Sequence, residues 1–334
     1  MTDEERSATI AEAEQWFEIN GLPYFVADNE RRVHHALGRG RLLPVVTLAL
    51  VVGAAAGLAV GLWSGDGSFG VLVGALAVAA VLLLYALWAL HLQSIVRWAV
   101  RRTFGSLGLL FPLTTRALPL LLLFITFLFI NTEVWQVSSA LDRGLLWLTV
   151  LLFAGIAVAF LLVRLPEEVR AVTNHVSDEG LTRICAGTPV AAAAEGVKPD
   201  ASNVALSPLQ RTNLVLVLLV SQALQVMLLA LSVFAFFIVF GKVAISDSVI
   251  RAWLGQQYPD GTDIPSHLPS LDWVPVSNEL FQVAVFLAAF SGLYFTVYAV
   301  TDQNYREQFF TAISDELERA IGVQTVYRAL GRRT

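Results

Sequence analysis

The residues Gly65-Asp66-Gly67-Ser68-Phe69-Gly70 spell G-x-G-x-x-G, a spacing that in nucleotide-binding folds lets backbone amides approach a pyrophosphate. That chemistry needs a strand before the first glycine and a helix N-terminus to receive the phosphate. Here the stretch joins two long apolar runs, so the spacing implies a tight turn. Just upstream, GAAAGLAVG places Gly53, Gly57 and Gly61 four residues apart. Four residues turn an α-helix by about 400°, so the three glycines share one face. In lipid such a face admits a second backbone at close range. Gly70, Gly74, Ala75 and Ala79 offer the matching surface. Gly53, Gly57, Gly61 and Gly74 are therefore expected helix-packing positions, within one hairpin or between subunits.

Other residues with catalytic potential are few. His34 and His35 are adjacent and cannot face one way on a helix. His267 has Asp260, Asp263 and Asp272 nearby, but the spacing matches no specific ligand set. Cys185 is the only cysteine, which rules out an internal disulfide. There is no H-E-x-x-H, no G-x-S-x-G and no P-loop sequence. The expectation is a non-enzymatic chain with no catalytic residue, metal or cofactor, and with no nucleic-acid partner.

The remaining polar candidates lie inside apolar runs. Ser221, Gln222 and Gln225 interrupt one run; Gln282, Ser291, Tyr294 and Tyr298 interrupt another. At a rise of about 1.5 Å per residue, counted from opposite ends, Gln222 and Gln225 reach the depth of Ser291 and Tyr294. One reading is a polar cluster lining a cavity for a neutral solute. The other is interhelical hydrogen bonding that satisfies the amides, worth about 0.6 kcal/mol each. The central part of each run carries no Asp, Glu, Lys or Arg, which argues against proton relays, ion-coupled carriers and voltage sensors.

The elements that position these residues follow from composition. Hydrophobic residues make up 56% of the chain and charged residues 15%, against about 25% charged in soluble domains. A hydrocarbon core about 30 Å thick takes about 20 apolar residues as a helix. Six runs meet that length, at about 42–63, 70–91, 117–135, 145–164, 213–240 and 279–300. The fold class is thus all-α: a polytopic helical membrane protein with six transmembrane helices and amphipathic cytoplasmic helices. The first run begins too late for a cleavable signal, so it would act as an uncleaved anchor.

An even number of spans puts both termini on one side. That side, with the 92–116 and 165–212 connections and Arg164 at the end of the fourth run, holds 19 of the 22 basic residues; Arg143, Lys242 and Arg251 lie opposite. Arginine and lysine favour the cytoplasm, so both termini are expected there. The opposite side carries a long connection, 241–278, with four prolines that would stiffen it as an outer cap. Within it, Ser248 to Leu254 suits a short helix lying on the lipid surface with Ile250, Trp253 and Leu254 facing down.

On the expected cytoplasmic side, residues 1–41 form an N-terminal amphipathic segment. Thr2 and Glu5 there match a capping box, opening a helix to about Phe17 with an apolar edge of Ile10, Trp16 and Phe17. After the second span, Gln93 to Phe104 sets Arg97, Arg101 and Arg102 opposite Ile95, Val96, Ala99 and Val100, a pattern suited to anionic lipid headgroups. The segment AGTPVAAAAEGVKPDASN has too little apolar bulk to fold alone. Residues 301–334 read as a C-terminal helix, with Phe309, Ile313, Leu317 and Ile321 on one edge.

WFEINGLPYFV (Trp16 to Val26), RALPLLLLFITFLFINTEVWQV (Arg116 to Val137) and ELFQVAVFLAAFSGLYFTVYAVTDQNYREQF (Glu279 to Phe309) resemble segments of uncharacterised multi-pass membrane proteins of actinobacteria. The resemblance runs along most of the chain and implies a bacterial plasma-membrane location. It carries over no activity, cofactor or catalytic residue. The functional expectation is a scaffold or accessory subunit that binds the lipid bilayer and a membrane-protein partner or a second copy of itself. The alternative is a channel or carrier for a neutral or apolar solute.

Overall fold

The computed structural model describes residues 2–36, 38–89, 92–105, 122–178, 180–197, 204–255, 276–301 and 303–331. Every regular element among them is helical. In chain order these are α1 (Asp3–Ile19), a 3-10 turn (Pro23–Phe25), α2 (Ala27–Ala36), α3 (Arg39–Ser64), α4 (Gly67–Ala89) and α5 (Leu92–Gly105). There follow α6 (Leu122–Phe129), α7 (Thr132–Ser139), α8 (Arg143–Asp178), α9 (Leu181–Ile184) and α10 (Ala191–Ala194). The last four are α11 (Pro208–Ala244), α12 (Asp247–Leu254), α13 (Asn278–Thr301) and α14 (Gln303–Gly331).

Five stretches are long and apolar enough to cross a membrane: Gly40–Ser64, Gly67–Ala89, Gly144–Thr173, Pro208–Ala244 and Asn278–Ala299. Large apolar side chains of α3 and α4 point away from the protein, among them Leu62 at 84% exposure, Trp63 at 87% and Trp88 at 83%. Contiguous apolar surface of that extent is incompatible with water and fits contact with lipid. The chain is a multi-pass helical membrane protein.

The third expected span, 117–135, is not one straight helix. Its first residues fall outside the described ones, and α6 meets α7 at an angle of 73°. Asn131 causes the break. Its side chain accepts the Glu133 N–H at 2.8 Å and so starts a new helix at Thr132. An N-cap residue has extended backbone and interrupts the preceding ladder. The indole of Trp135 then donates to the Phe129 carbonyl at 2.6 Å, holding the corner closed. Helix α12 packs on α7: Trp253 lies 5.4 Å from Trp135 between ring centres, and Gln136 donates to the Trp253 carbonyl. Ile250 and Leu254 are buried by protein there, whereas a lipid-facing orientation was expected. The outer-cap residues 256–275, with His267, and the side chains of Phe309 and Ile313 lie outside the described residues.

Two apolar cores hold the bundle. One lies at the end that carries both termini. It joins Phe17 of α1, Ile95 of α5, Leu165 of α8, Leu214 and Leu218 of α11 and Ile321 of α14. The AGTPVAAAAEG stretch contributes to it, since Val190 and Ala194 are buried in this core beside Ile184 and Cys185. The core therefore recruits, as the short helix α10, a segment too poor in apolar bulk to fold alone. The second core, at the opposite end, gathers Phe129, Trp135, Phe237, Ile250, Leu280 and Leu287.

Capping fixes where the helices begin. Thr2 and Glu5 close the expected capping box on α1. A second box, Ser207 with Gln210, opens α11, with Pro208 at the first helical position. Proline is tolerated there because its missing N–H has no intrahelical partner anyway.

Candidate functional site

The G-x-G-x-x-G stretch is a turn between α3 and α4. Gly65 ends α3 with φ +69°, a left-handed conformation that glycine adopts without steric cost. Asp66 then accepts from Ser68 N at 2.9 Å, Ser68 Oγ at 2.7 Å and Phe69 N at 3.0 Å. These bonds, led by the Ser68 hydroxyl, hold the carboxyl below its ordinary value. The position a phosphate would take at the start of α4 is filled by the chain's own carboxylate.

The glycine stripe is the seam of this hairpin. A Cβ on Gly57 would sit 2.9 Å from the Gly70 carbonyl oxygen, and one on Gly74 would sit 2.9 Å from that of Gly53. A Cβ on Gly53 would collide with Val78 Cγ2. At Gly61 the nearest atom, Gly70 Cα, is 3.6 Å away, which is ordinary contact. Gly53, Gly57 and Gly74 thus have no room for a Cβ, whereas a Cβ on Gly61 would point where the facing helix leaves space for it.

Of the candidate polar residues of α11 and α13, Ser221, Gln222 and Ser291 are buried, and Gln225 and Tyr294 are half-buried. Among the described residues, neither the Ser221 hydroxyl nor either amide atom of Gln222 has a hydrogen-bond partner. The Gln225 carbonyl oxygen has none either. Ser291 is fully buried and donates to the Leu287 carbonyl of its own helix at 2.6 Å. Tyr294 stacks on Phe124 of α6 at 5.4 Å and on Tyr298 at 6.1 Å. Among the described residues no hydrogen bond links Gln222, Gln225, Ser291 and Tyr294. Leaving a buried amide unpaired costs about 1–3 kcal/mol, so Gln222 is the most conspicuous unsatisfied group at membrane depth.

On α5, Arg97 and Arg101 are exposed. Arg102 is turned inward, its Nε 3.0 Å from Glu316 Oε1 of α14. Burial raises the Glu316 carboxyl and Arg102 opposes that shift. Among the described residues no three His, Cys, Asp or Glu side chains converge as a metal site. Burial also raises the Cys185 thiol to about 11, which leaves it protonated and unreactive at neutral pH.

Several organising residues are not evident from local sequence. Asn213, fully buried in α11, accepts from Tyr24 N and donates to the Gly21 carbonyl. Ser207 donates to Glu30 of α2 at 2.6 Å, Arg328 of α14 donates to Gln210 at 2.9 Å, and Tyr327 donates to Glu14 of α1 at 2.7 Å. The only local signal is S-P-x-Q at Ser207, a capping-box pattern with proline at the first helical position. No family model matches the chain, and no curated protein and no solved structure matches it.

Proposed function

We propose that this chain is a bacterial plasma-membrane scaffold or accessory subunit, non-enzymatic, with both termini in the cytoplasm. Its partners on this reading are a membrane protein or a second copy, and lipid. The observation that carries the proposal is the placement of the two apolar cores on α11. Leu214, Val217 and Leu218 belong to one core, and Leu229, Val233 and Phe237 belong to the other. Gln222 and Gln225 lie between them along the helix. A solute pathway through those amides would have to open packed side chains on both sides. The terminal helices add support, because α1 and α14, together with the short α9, are built into the core that reaches α8 and α11. The termini and the spans then behave as one body, as a docking platform requires. The actinobacterial resemblance agrees with this assignment of membrane.

The unpaired Gln222 amide favours a second reading, a carrier for a neutral solute seen in an occluded state. Mild-detergent purification with identification of co-purifying protein, followed by reconstitution into liposomes, separates the two. A stoichiometric partner that survives purification, with no solute flux, is the expected result. Release of entrapped glycerol or urea by the purified chain, lost in Gln222→Leu, would establish the carrier and remove the scaffold.

A further inference from the structure

Arg170 of α8 and Arg211 of α11 line one cavity of about 160 Å³ from two different helices. The cavity lies at the end of the bundle that holds both termini, where the apolar stretch Gly144–Thr173 finishes and Pro208–Ala244 begins. Pro166, Val169 and Val215 make most of its remaining wall. Thr173 also lines it, with its hydroxyl donated to the Val169 carbonyl at 2.7 Å. Neither arginine is in an ion pair among the described residues. The nearest carboxylates along α8, Glu167 and Glu168, are both held by Arg164. A second cavity, about 240 Å³, lies farther along the same two helices and against α13. It is apolar, and small residues, including Ala154, Ala157, Ala223 and Ala230, alternate in its wall with larger ones such as Phe153 and Met227. From Val215 to Ala223 is about 12 Å along α11, and from Pro166 to Leu161 about 7.5 Å along α8.

We propose that the α8–α11 seam binds an anionic phospholipid, with its phosphate on Arg170 and Arg211 and an acyl chain directed along the seam toward the apolar cavity. Two guanidinium groups without carboxylate partners, at the end of a spanning segment, present a fork geometry that matches phosphate oxygens. The largely apolar wall around them suits the glycerol backbone and the start of a chain, and offers little to a fully hydrated anion. The small residues deeper in leave the width that a methylene chain occupies. This site is separate from the exposed arginines of α5, and it holds whether the chain is a scaffold or a carrier.

The test uses the full chain in detergent, equilibrated with equal amounts of phosphatidylglycerol and phosphatidylcholine, with bound lipid counted by native mass spectrometry. Wild type is expected to retain phosphatidylglycerol in preference. Each cation near the surface contributes about fivefold, so Arg170→Gln with Arg211→Gln should cut that preference about thirtyfold. Arg41→Gln, at the start of α3 and away from the cavity, should leave it unchanged. Equal retention of the two lipids by wild type overturns the proposal, and that comparison needs no variant to fold. A loss in Arg41→Gln as large as in the double variant overturns it too, because general basic charge would then be the cause. Displacement of the lipid by inorganic phosphate at matching concentration would show that a soluble anion is the ligand, and would overturn it likewise.

Discussion

Asn213 holds Tyr24 from 189 residues away along the chain. Its side-chain oxygen accepts the Tyr24 N–H at 2.9 Å, and its nitrogen donates to the Gly21 carbonyl at 3.0 Å. One amide therefore satisfies two backbone groups in a turn that Gly21 makes possible at φ +73°. This fastens the N-terminal helix to the first turns of α11. Replacing Asn213 with Leu strands both backbone groups in the core, and each orphaned group costs about 1–3 kcal/mol. The expected loss is about 2–4 kcal/mol in thermal or denaturant unfolding in detergent. Asn213→Asp should also destabilise at neutral pH, because it sets an ionised carboxylate oxygen against the Gly21 carbonyl oxygen in a buried site. An unchanged midpoint in Asn213→Leu would show that the turn is held by its apolar neighbours instead.

The hairpin seam predicts an ordering among glycines. Alanine at Gly70 would put its Cβ 2.7 Å from the Gly57 carbonyl oxygen and 2.8 Å from Gly61 Cα. Both are backbone atoms, so neither can rotate away, and overpacking of this kind costs about 1–3 kcal/mol. Alanine at Gly61 meets only Gly70 Cα at 3.6 Å and should be neutral or slightly stabilising, since alanine is the better helix former. Gly57→Leu should prevent folding or assembly. Expression and thermal midpoints of the three variants measure this ordering. Equal behaviour of Gly61→Ala and Gly70→Ala would mean that α3 and α4 do not meet along this face.

The seam was legible in the sequence because a period of four on a helix needs no tertiary information to interpret. The capping box at Thr2 was legible for the same reason, being complete within four residues. The bend at Asn131 was not. Hydropathy sees an apolar run with polar residues at its boundary, while the break depends on a side chain turning back to cap the following helix. Asn213 was equally hidden, since the groups it satisfies lie in a distant turn. The proposed lipid site needs two helices side by side before Arg170 and Arg211 become neighbours, and arginine counting alone assigned both only to a basic flank. For Gln222, composition flagged the residue but not its condition: depth counting suggested partners on α13, whereas Ser291 bonds to its own helix.

The Arg102–Glu316 pair predicts a pH dependence. Burial raises the Glu316 carboxyl above its ordinary 4.5, and Arg102 pulls it back only in part. Between the ordinary and the raised value, the folded chain holds a proton that the unfolded chain has released. Stability from this group therefore falls as pH rises through that window. Arg102→Gln removes the opposing cation and pushes the carboxyl higher, extending that loss to higher pH. With both side chains about a third exposed, the cost near neutrality should be about 1–2 kcal/mol, below that of a fully buried pair. Glu316→Gln removes the titration and should flatten the slope. Thermal midpoints at pH 5 and 7.5 for the three proteins decide the matter, and parallel profiles would remove this carboxyl from the account.

Threading through the membrane is open to thiol chemistry, because the chain has a single cysteine to replace. Cys185 is fully buried in the core at the terminal end, and its thiol is raised to about 11. It should resist maleimides in the folded protein even after the membrane is opened, and react on denaturation. With Cys185 changed to serine, a cysteine at position 270 tests orientation directly; Ser270 lies outside the described residues, in the connection opposite both termini. If arginine asymmetry orients the chain, an impermeant reagent labels that cysteine in intact cells and fails to label one placed at Ser7. Labelling at position 7 but not at 270 would invert the threading and put the core of α1, α9 and α14 outside the cell. The proposed lipid contact at Arg170 and Arg211 would then belong to the opposite leaflet, with its two guanidinium groups unchanged.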